Sequence, residues 1–284
     1  MRWKPGSQSE NIEDRRGQRS SGRLPGGRGL GIGGILVLLA LSVVFKKDFL
    51  SLAGNLDTGA AAVDNGPVVS SAAEDSMVLF VSFVLDSVQS SWSRVFRERG
   101  EQYQDAVLVL FRDGTRSACG FAESATGPFY CPGDQKVYID LGFYQELDDR
   151  FGAPGDFAQA YVLAHEVGHH LQNLLGIEQQ VRRAQQANPT RQNELSVRME
   201  LQADCFAGVW GHEAAQQGLL SPGDIEEGLG AAAAVGDDRL QRMATGQVSP
   251  ESFTHGSSEQ RAQWFRRGFD SGDVNACDTF QQPR

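Results

Sequence analysis

The sequence predicts an α+β protein, in which one transmembrane helix precedes a mostly helical domain with a small antiparallel sheet. Long stretches after residue 73 repeat apolar residues at helical spacing, and three short stretches between turn residues have the composition of strands. Residues 29–45 form an uncharged apolar run. With 284 residues, 40% of them hydrophobic, the chain is long enough for one substantial domain plus appendages.

The start of the chain is predicted to be a tail followed by a membrane anchor. Residues 1–28 are rich in Gly, Ser and Arg and lack apolar periodicity, so we expect them to be disordered. The run of 17 apolar residues from 29 to 45 is short for a membrane span, but Lys46 and Lys47 can reach the interface and lengthen it. We therefore predict contact with the lipid bilayer through residues 29–47, and a linker over residues 48–72.

Charge predicts the orientation of this anchor. Residues 1–28 carry seven basic and three acidic side chains, and the positive-inside rule places such a tail in the cytoplasm. A cleaved signal peptide is the competing interpretation, but the long basic region and the lysines that directly follow the apolar run disfavour a cleavage site. The domain of residues 73–284 is therefore expected on the other side of the membrane, in a single-pass protein.

Within that domain, the sequence indicates helices and strands in a definite order. The first element is an amphipathic helix from Glu74 to Arg99, whose apolar stripe is predicted to pack in the core. Strand signals follow at Ala106 to Phe111, Gly114 to Phe121 and Lys136 to Leu141. Later helices are predicted at Phe157 to Leu175, Leu195 to Gln217, Asp224 to Arg242 and Ser258 to Phe269.

The pentapeptide His165-Glu166-Val167-Gly168-His169 carries the strongest chemical signal. On a helix, His165 and His169 lie one turn apart on the same face, where two imidazoles can bind one Zn²⁺ ion. Glu166 would then face the metal-bound water as the general base. The alternative is an ordinary core helix that carries two histidines. The concentration of three of the chain's five histidines within six residues favours the metal site.

Residues around the pentapeptide support a helix. Asp156 is predicted to cap its N-terminus, and Gly176 supplies a stop signal. Gly168 costs about 1 kcal/mol relative to alanine inside a helix. Such a residue between the two histidines suggests that another part of the chain approaches the helix backbone closely.

A third ligand is predicted on the second long helix. Glu200 and Asp204 are four residues apart and therefore share a face that is otherwise apolar. A carboxylate on such a face must be paired or coordinated, because burying it alone costs several kcal/mol. We predict Glu200 as the third zinc ligand, and Asp204 as the acceptor that holds the free ring N–H of a ligating histidine. A solvated acidic face is the alternative.

These motifs resemble a known enzyme class. HExxH on one helix followed by ExxxD on the next is similar to the gluzincin zinc metallopeptidases. The strings YVLAHEVGHHLQNLLG and RMELQADCFAGVW, with the opening MRW, the basic EDRRG segment and one N-terminal apolar run, resemble the bacterial membrane-anchored "neutral zinc metallopeptidase" family. The resemblance covers most of the chain. It implies a zincin-like fold and a catalytic domain on the periplasmic side of the inner membrane.

The resemblance also suggests further residues. Thr254-His255-Gly256, followed by Glu259-Gln260-Arg261, is similar to a "THP…ER" segment near the active site of other zinc proteases, with Gly256 replacing the proline. His255 is therefore predicted either to stabilise the oxyanion or to be a surface N-cap residue before the helix at Ser258.

Tyr138 is a second candidate for polarising the scissile carbonyl. His170 points about 100° away from His169 and is expected to be structural.

In zincins, the strand before the metal helix lines the cleft and pairs with an extended peptide. By this resemblance, residues 137–141 are predicted to bind the substrate main chain by strand addition.

Charge and cysteine content bound the remaining properties. Residues 1–47 carry nine basic and three acidic side chains, so a total charge of −10 leaves −16 for residues 48–284 and argues against nucleic-acid binding. The four cysteines fit an oxidising compartment. They allow three pairings that the sequence does not decide between; Cys119–Cys131 across a hairpin, with Cys205–Cys277, is favoured.

The sequence therefore predicts zinc-dependent hydrolysis of peptide or protein substrates outside the cytoplasmic membrane. One alternative is a membrane-anchored scaffold with a structural zinc, although such a site would not need Glu166. Another is a zinc hydrolase of a non-peptide amide such as peptidoglycan. The oligomeric state is not predicted.

Overall fold

The protein has the predicted α+β architecture. The computed structural model describes residues 1–18, 70–123 and 127–281, and these contain eight α-helices, a four-stranded sheet and a two-stranded hairpin. The strands are β1 (Ile12–Asp14), β2 (Val107–Phe111), β3 (Gly114–Ser117), β4 (Gly120–Glu123), β5 (Phe129–Cys131) and β6 (Lys136–Asp140). The helices are α1 (Ala72–Glu98), α2 (Gly142–Asp149), α3 (Asp156–Leu174), α4 (Ile177–Ala187), α5 (Gln192–Gln216), α6 (Asp224–Ala234), α7 (Asp237–Thr245) and α8 (Ser258–Ser271).

The larger sheet is mixed, so the prediction of a small antiparallel sheet is wrong for it. Its strand order is β1-β2-β6-β5, in which β1 and β6 both run parallel to β2 and only β5 is antiparallel to its neighbour. The predicted strand from Gly114 to Phe121 is instead the antiparallel hairpin β3–β4. Parallel neighbours require long connections, and α1 lies in the connection between β1 and β2.

The beginning of the chain belongs to this domain. The N–H of Leu108 donates to the carbonyl of Asn11 at 2.8 Å, and the N–H of Arg15 donates to the carbonyl of Leu110 at 2.7 Å. Trp3 packs edge-on against Phe80 of α1, with ring centroids 5.3 Å apart. The prediction of a disordered tail is therefore wrong for residues 1–18, because tertiary pairing orders a segment that lacks an apolar pattern of its own.

This pairing also bears on the predicted topology. Residues 1–18 are hydrogen-bonded to β2 and so belong with the domain of residues 73–284, whereas the prediction put a membrane between them. The location of the domain relative to a membrane stays a prediction. Among the described helices, none is both long and apolar enough to cross a bilayer. The predicted anchor, residues 29–47, and nearly all of the predicted linker fall outside the described residues.

Three helices build the part of the core that carries the site. These are α3, α5 and α8. Phe157 of α3 stacks on Trp210 of α5 with ring centroids 5.8 Å apart, and Tyr161 of α3 contacts Phe265 of α8 edge-on with centroids 5.4 Å apart. The sequence suggested that Gly168, an unfavourable residue inside a helix, allows another segment to approach the backbone of α3, and the structure shows this approach. A Cβ at this position would lie 3.1 Å from the backbone of Ala203 on α5. The two helices that carry the predicted ligands are therefore in direct backbone contact.

The ends of the helices differ from the prediction in two places. Asp156 is the first residue of α3 rather than its cap, and Glu227 of α6 instead accepts a hydrogen bond from the N–H of Phe157 at 3.2 Å. The predicted helix from Asp224 to Arg242 breaks into α6 and α7 at Gly236. The start of α8 lies so close there that a Cβ would be 2.3 Å from the backbone nitrogen of Ser258. The short helices α2 and α4 were not predicted.

The favoured cysteine pairing is confirmed. Cys119 in the turn of the hairpin bonds to Cys131 at the end of β5, and Cys205 of α5 bonds to Cys277 near the C-terminus.

Candidate metal centre

The helices α3 and α5 bring the three predicted ligands together. Nε2 of His165 lies 3.2 Å from one carboxylate oxygen of Glu200, and Nε2 of His169 lies 3.5 Å from the other. The ligating atoms of the three residues lie within 4.8 Å of one another. Two histidines one helical turn apart, facing a carboxylate on the neighbouring helix, therefore surround a single point.

Hydrogen bonds to the Nδ1 atoms of the two imidazoles determine that their Nε2 atoms face the Glu200 carboxylate. Nδ1 of His165 is 2.8 Å from Oδ1 of Asp204, and a carboxylate can only accept, so Nδ1 carries the hydrogen. Nδ1 of His169 likewise donates to Oε1 of Gln172 at 2.8 Å. The amide orientation of Gln172 follows from its Nε2, which donates to the carbonyl of Met199 at 2.7 Å. In their neutral form both imidazoles consequently present an unprotonated Nε2 to Glu200.

This arrangement requires a cation. Two ring lone pairs and a carboxylate repel one another at these distances unless a proton or a metal ion lies between them. Burial would lower the pKa of His165, but the carboxylates of Asp204 and Glu200 outweigh burial and raise that pKa to about 9. Burial would raise the pKa of Glu200, yet His169 and His165 hold it well below its usual range. Two imidazoles and one carboxylate are a common donor set for catalytic zinc, and the residues fit that ion.

Asp204 is fully buried and is held by a residue whose role the sequence did not predict, although it belongs to the segment expected near the active site. Arg261 of α8 donates to both of its carboxylate oxygens, from Nε and Nη2, each at 2.9 Å. The hydroxyl of Tyr161 donates to the same carboxylate. Burial would raise the pKa of Asp204, but Arg261 and His165 lower it to about 2. Asp204 therefore stays ionised, as an acceptor for the ring N–H of His165 must.

Two close backbone contacts bring Arg261 to this position. A Cβ on Gly208 of α5 would lie 2.0 Å from the carbonyl oxygen of Phe265, and one on Gly268 of α8 would lie 2.0 Å from the carbonyl oxygen of Cys205. Only glycine at both positions permits α5 and α8 to cross at this distance. The side chain of Arg261, two turns before Gly268, can then reach Asp204 directly.

Glu166 lies on the wall of a cleft that opens at the metal-binding residues. The cleft has a volume of about 1100 Å³, and its lining includes His165, His169, Glu200 and His255. Glu166 is largely buried, and within the described part of the chain no hydrogen bond occupies its carboxylate. A carboxylate placed one residue after a ligand and free of partners is suited to exchange a proton with a water molecule in the cleft.

His255 also faces this cleft, and Asp237 holds it there. The N–H groups of Thr254, His255 and Gly256 all donate to Oδ2 of Asp237, at 2.7, 2.6 and 3.1 Å, while Nδ1 of His255 is 3.1 Å from Oδ1. The hydrogen bond to Asp237 raises the pKa of His255. The cap of α8 comes from Ser257 rather than from His255, so the interpretation of His255 as a cap is wrong.

Two other predicted roles can be compared with the structure. Tyr138 is not at the site. It is buried on the far face of the sheet, where it stacks on Phe129 and donates to Asp134 at 2.7 Å. His170 is structural as expected, since its ring nitrogens contact the hydroxyl of Tyr130 at 3.1 Å and the carbonyl of Gln104 at 2.7 Å.

The predicted peptide-binding strand is also misplaced. Residues 136–140 form β6, which pairs with β2 along its whole length on one side and with β5 at residues 136–138 on the other, so a peptide cannot be added along that stretch. The edge of the sheet beside the cleft is β5, and Phe129 and Tyr130 of this strand line the cleft.

The sequence predicted no role for Gln172 or Asp237, and for Arg261 it indicated only that the residue lies in a segment near the active site. Gln172 and Arg261 are polar residues on the buried side of helices that otherwise show apolar periodicity, which is the same signal that identified Glu200 and Asp204. Asp237 begins α7 and is the only buried residue of that helix, so it gives no such signal. For Arg261 the signal is its spacing of four and seven residues from Phe265 and Gly268 on α8.

Comparison with known proteins shows the family of this chain. The chain is 50% identical over 285 residues to the "Uncharacterized protein YpfJ" of Escherichia coli strain K12, with 99% of each chain covered. It is 48% identical over 189 residues to the "Uncharacterized protein Mb2605" of Mycobacterium bovis, with 63% of each covered. No solved structure matches the chain. Residues 1–280 match the sequence model of the family described as "Putative neutral zinc metallopeptidase", and the chain belongs to that family.

Proposed function

We propose that the protein is a zinc-dependent peptidase that hydrolyses peptide bonds in peptides or proteins. The observation that carries the proposal is the convergence of His165, His169 and Glu200 within 4.8 Å, beside the unpartnered carboxylate of Glu166 in an open cleft. A purely structural zinc site is closed and needs neither a cleft nor an adjacent base. Membership of the metallopeptidase family supports the same conclusion.

His165, His169 and Glu200 would hold the zinc ion, and the tautomers fixed by Asp204 and Gln172 direct both Nε2 atoms towards it. When bound, the ion supplies Lewis-acid activation of the attacking water and of the scissile carbonyl.

Glu166 removes one proton from the water as its oxygen attacks the carbonyl carbon. It returns that proton to the leaving nitrogen as the C–N bond breaks, which releases an amine and a carboxylic acid. Glu166 thus accepts and returns the same proton, and it is ionised again at the end of the reaction.

His255 is proposed to donate a hydrogen bond to the oxyanion that develops on the scissile carbonyl. Asp237 accepts from Nδ1, so Nε2 can donate only when the imidazole is protonated, and the hydrogen bond to Asp237 raises the pKa of His255 and thereby favours that form. The half-exposed side chain of His255 can reach a substrate in the cleft.

The substrate main chain is proposed to pair with β5, which replaces the predicted pairing with β6. This strand is an edge of the sheet, its residues line the cleft, and its Tyr130 is hydrogen-bonded to His170 and Asn173 of α3. An edge strand offers unpaired N–H and C=O groups to an extended peptide. Such an arrangement beside a metal helix would make the fold zincin-like.

We further propose that the catalytic domain lies outside the cytoplasm. The two disulfide bonds support this, because disulfides persist in oxidising compartments. Lipid contact through residues 29–47 stays a prediction from the sequence. In this proposal residues 1–18 are on the same side as the domain to which they are bonded.

The proposal is tested by comparing the full chain with its Glu166→Gln variant. Both are expected to bind zinc stoichiometrically, because Glu166 is not a ligand, while only the wild type cleaves a mixed peptide library. Losing a general base typically lowers the rate by a factor of about 10² to 10⁴. Metal content is measured by mass spectrometry and cleavage by identification of new peptide ends.

Glu200→Ala serves as the complementary variant. It removes a ligand rather than the base, so zinc affinity is expected to fall together with activity. A wild type without zinc would refute the metal site. A zinc-loaded wild type that cleaves no peptide would refute the peptidase.

A further inference from the structure

The cleft has an apolar half that the proposed mechanism does not use. Its floor is α3, and towards the N-terminal end of this helix it is lined by Phe143, Phe151, Val162, Leu240 and Met243. Val162 lies four residues before Glu166 and on the same face of the helix. The apolar half therefore begins directly beside the proposed base.

Away from the metal-binding residues and Glu166, charged side chains at the rim of the cleft lie in pairs of opposite charge. Glu178 and Arg182 form an ion pair on α4, at the C-terminal end of α3. At the rim of the apolar half, Glu146 and Arg150 are 3.9 Å apart, and the guanidinium of Arg150 lies 5.2 Å from the ring centroid of Phe151. These charges already have partners, so the surface that stays unpaired in this half of the cleft is apolar.

Met243 of α7 is the most informative residue of this surface. Its side chain is 50% exposed, and it is one of three large apolar residues in the described ranges that remain exposed. The other two, Phe121 and Val248, do not line the cleft. Exposed methionine at a cleft is typical of a binding surface, because its flexible side chain adapts to apolar ligands.

We propose that this half of the cleft is a specificity pocket, formed chiefly by Phe143, Val162 and Met243, for a bulky uncharged apolar side chain of the substrate. The pocket lies beside Glu166, so the bound residue would flank the scissile bond. A charged side chain would lose its hydration there without gaining a partner. This inference rests on the proposed peptidase function and adds the substrate class.

Direct binding tests the pocket without relying on turnover. The probe is a set of fluorescent Gly/Ser peptides with one central Leu, Asp or Lys, titrated into the zinc-loaded full chain carrying Glu166→Gln. We expect the Leu peptide to bind about tenfold more tightly than the other two, which corresponds to burial of part of one apolar side chain. Adding Met243→Lys should remove this preference for Leu.

Val248→Lys is the matched control, since it places the same charge on an exposed apolar residue outside the cleft. It is expected to leave all three affinities unchanged. Equal binding of the three peptides, or equal effects of the two lysine variants, would overturn the pocket. Cleavage by the wild type without preference for apolar residues would also overturn it while leaving the peptidase function intact. Preference for the Leu peptide without any cleavage by the wild type would support the pocket and refute the peptidase function.

Discussion

Replacing Gly268 by alanine is predicted to weaken both the fold and the metal centre, because this glycine lies where α8 crosses α5. A Cβ at Gly268 would be 2.0 Å from the carbonyl oxygen of Cys205 and 3.0 Å from the backbone nitrogen of Val209. Backbone atoms inside a helix cannot rotate away from the new methyl group. The helices would have to separate by about 1.4 Å for the oxygen to reach ordinary contact at 3.4 Å.

This separation would be transmitted to the zinc ligands through Arg261. Its hydrogen bonds to Asp204 are 2.9 Å long, and an increase of that size takes them beyond hydrogen-bonding distance. Overpacking costs about 1–3 kcal/mol, and breaking a buried ion pair costs about 3–5 kcal/mol when it is complete. We therefore expect the melting temperature to fall by at least about 5 °C and zinc affinity to fall about tenfold.

Differential scanning calorimetry and zinc-competition titration measure these two effects. Gly230→Ala is the control, because Gly230 lies inside α6 with nothing within 4 Å of the added Cβ, and alanine there should stabilise the helix by about 1 kcal/mol. If Gly268→Ala melted within about a degree of the wild type and bound zinc as tightly, the close crossing would not be what positions Arg261.

Three other predictions follow from particular contacts. Gln172→Met removes the acceptor for the second ligand histidine, and a zinc-competition titration should show a loss of affinity of about 10- to 100-fold. The raised pKa of His255 means that its pairing with Asp237 stabilises the fold fully below its ordinary pKa of about 6.5 and less as the pH rises through the raised value. His255→Gln should accordingly lower the melting temperature more at acidic than at alkaline pH, and an equal loss at both would contradict the ion pair. In cells, Glu10→Cys and Arg183→Cys should react alike with a membrane-impermeant maleimide, since β1 is part of the domain; labelling of only one would refute this arrangement.

The metal ligands could be predicted from the sequence because helical geometry relates them locally. His165 and His169 are one turn apart on α3, and Glu200 and Asp204 are one turn apart on α5, so each pair needed only a correct helix assignment. The contact between the two helices was suggested by one further local signal, the energetically unfavourable glycine at 168.

What sequence reasoning missed depends on contacts between distant segments. The three residues of β1 form a strand only because β2 offers them an edge, and their own composition gives no strand signal. The N-terminus of α3 is capped by Glu227, which lies on another helix. Its distance along the chain hides this contact from the sequence, which instead predicts the neighbouring Asp156 as the cap. Strand order likewise depends on the path of the connections, which alternating patterns do not specify.

The need for α8 follows from the chemistry of Asp204. A carboxylate that accepts the ring N–H of a ligating histidine must be both buried and ionised, and burial alone opposes ionisation. The histidine is neutral when it binds a metal ion, so it does not supply the missing positive charge. That charge comes from Arg261, which can reach Asp204 only because glycines let α8 contact the α5 backbone. A search for HExxH and ExxxD alone would therefore find the ligands of this site but not the residue that keeps Asp204 ionised.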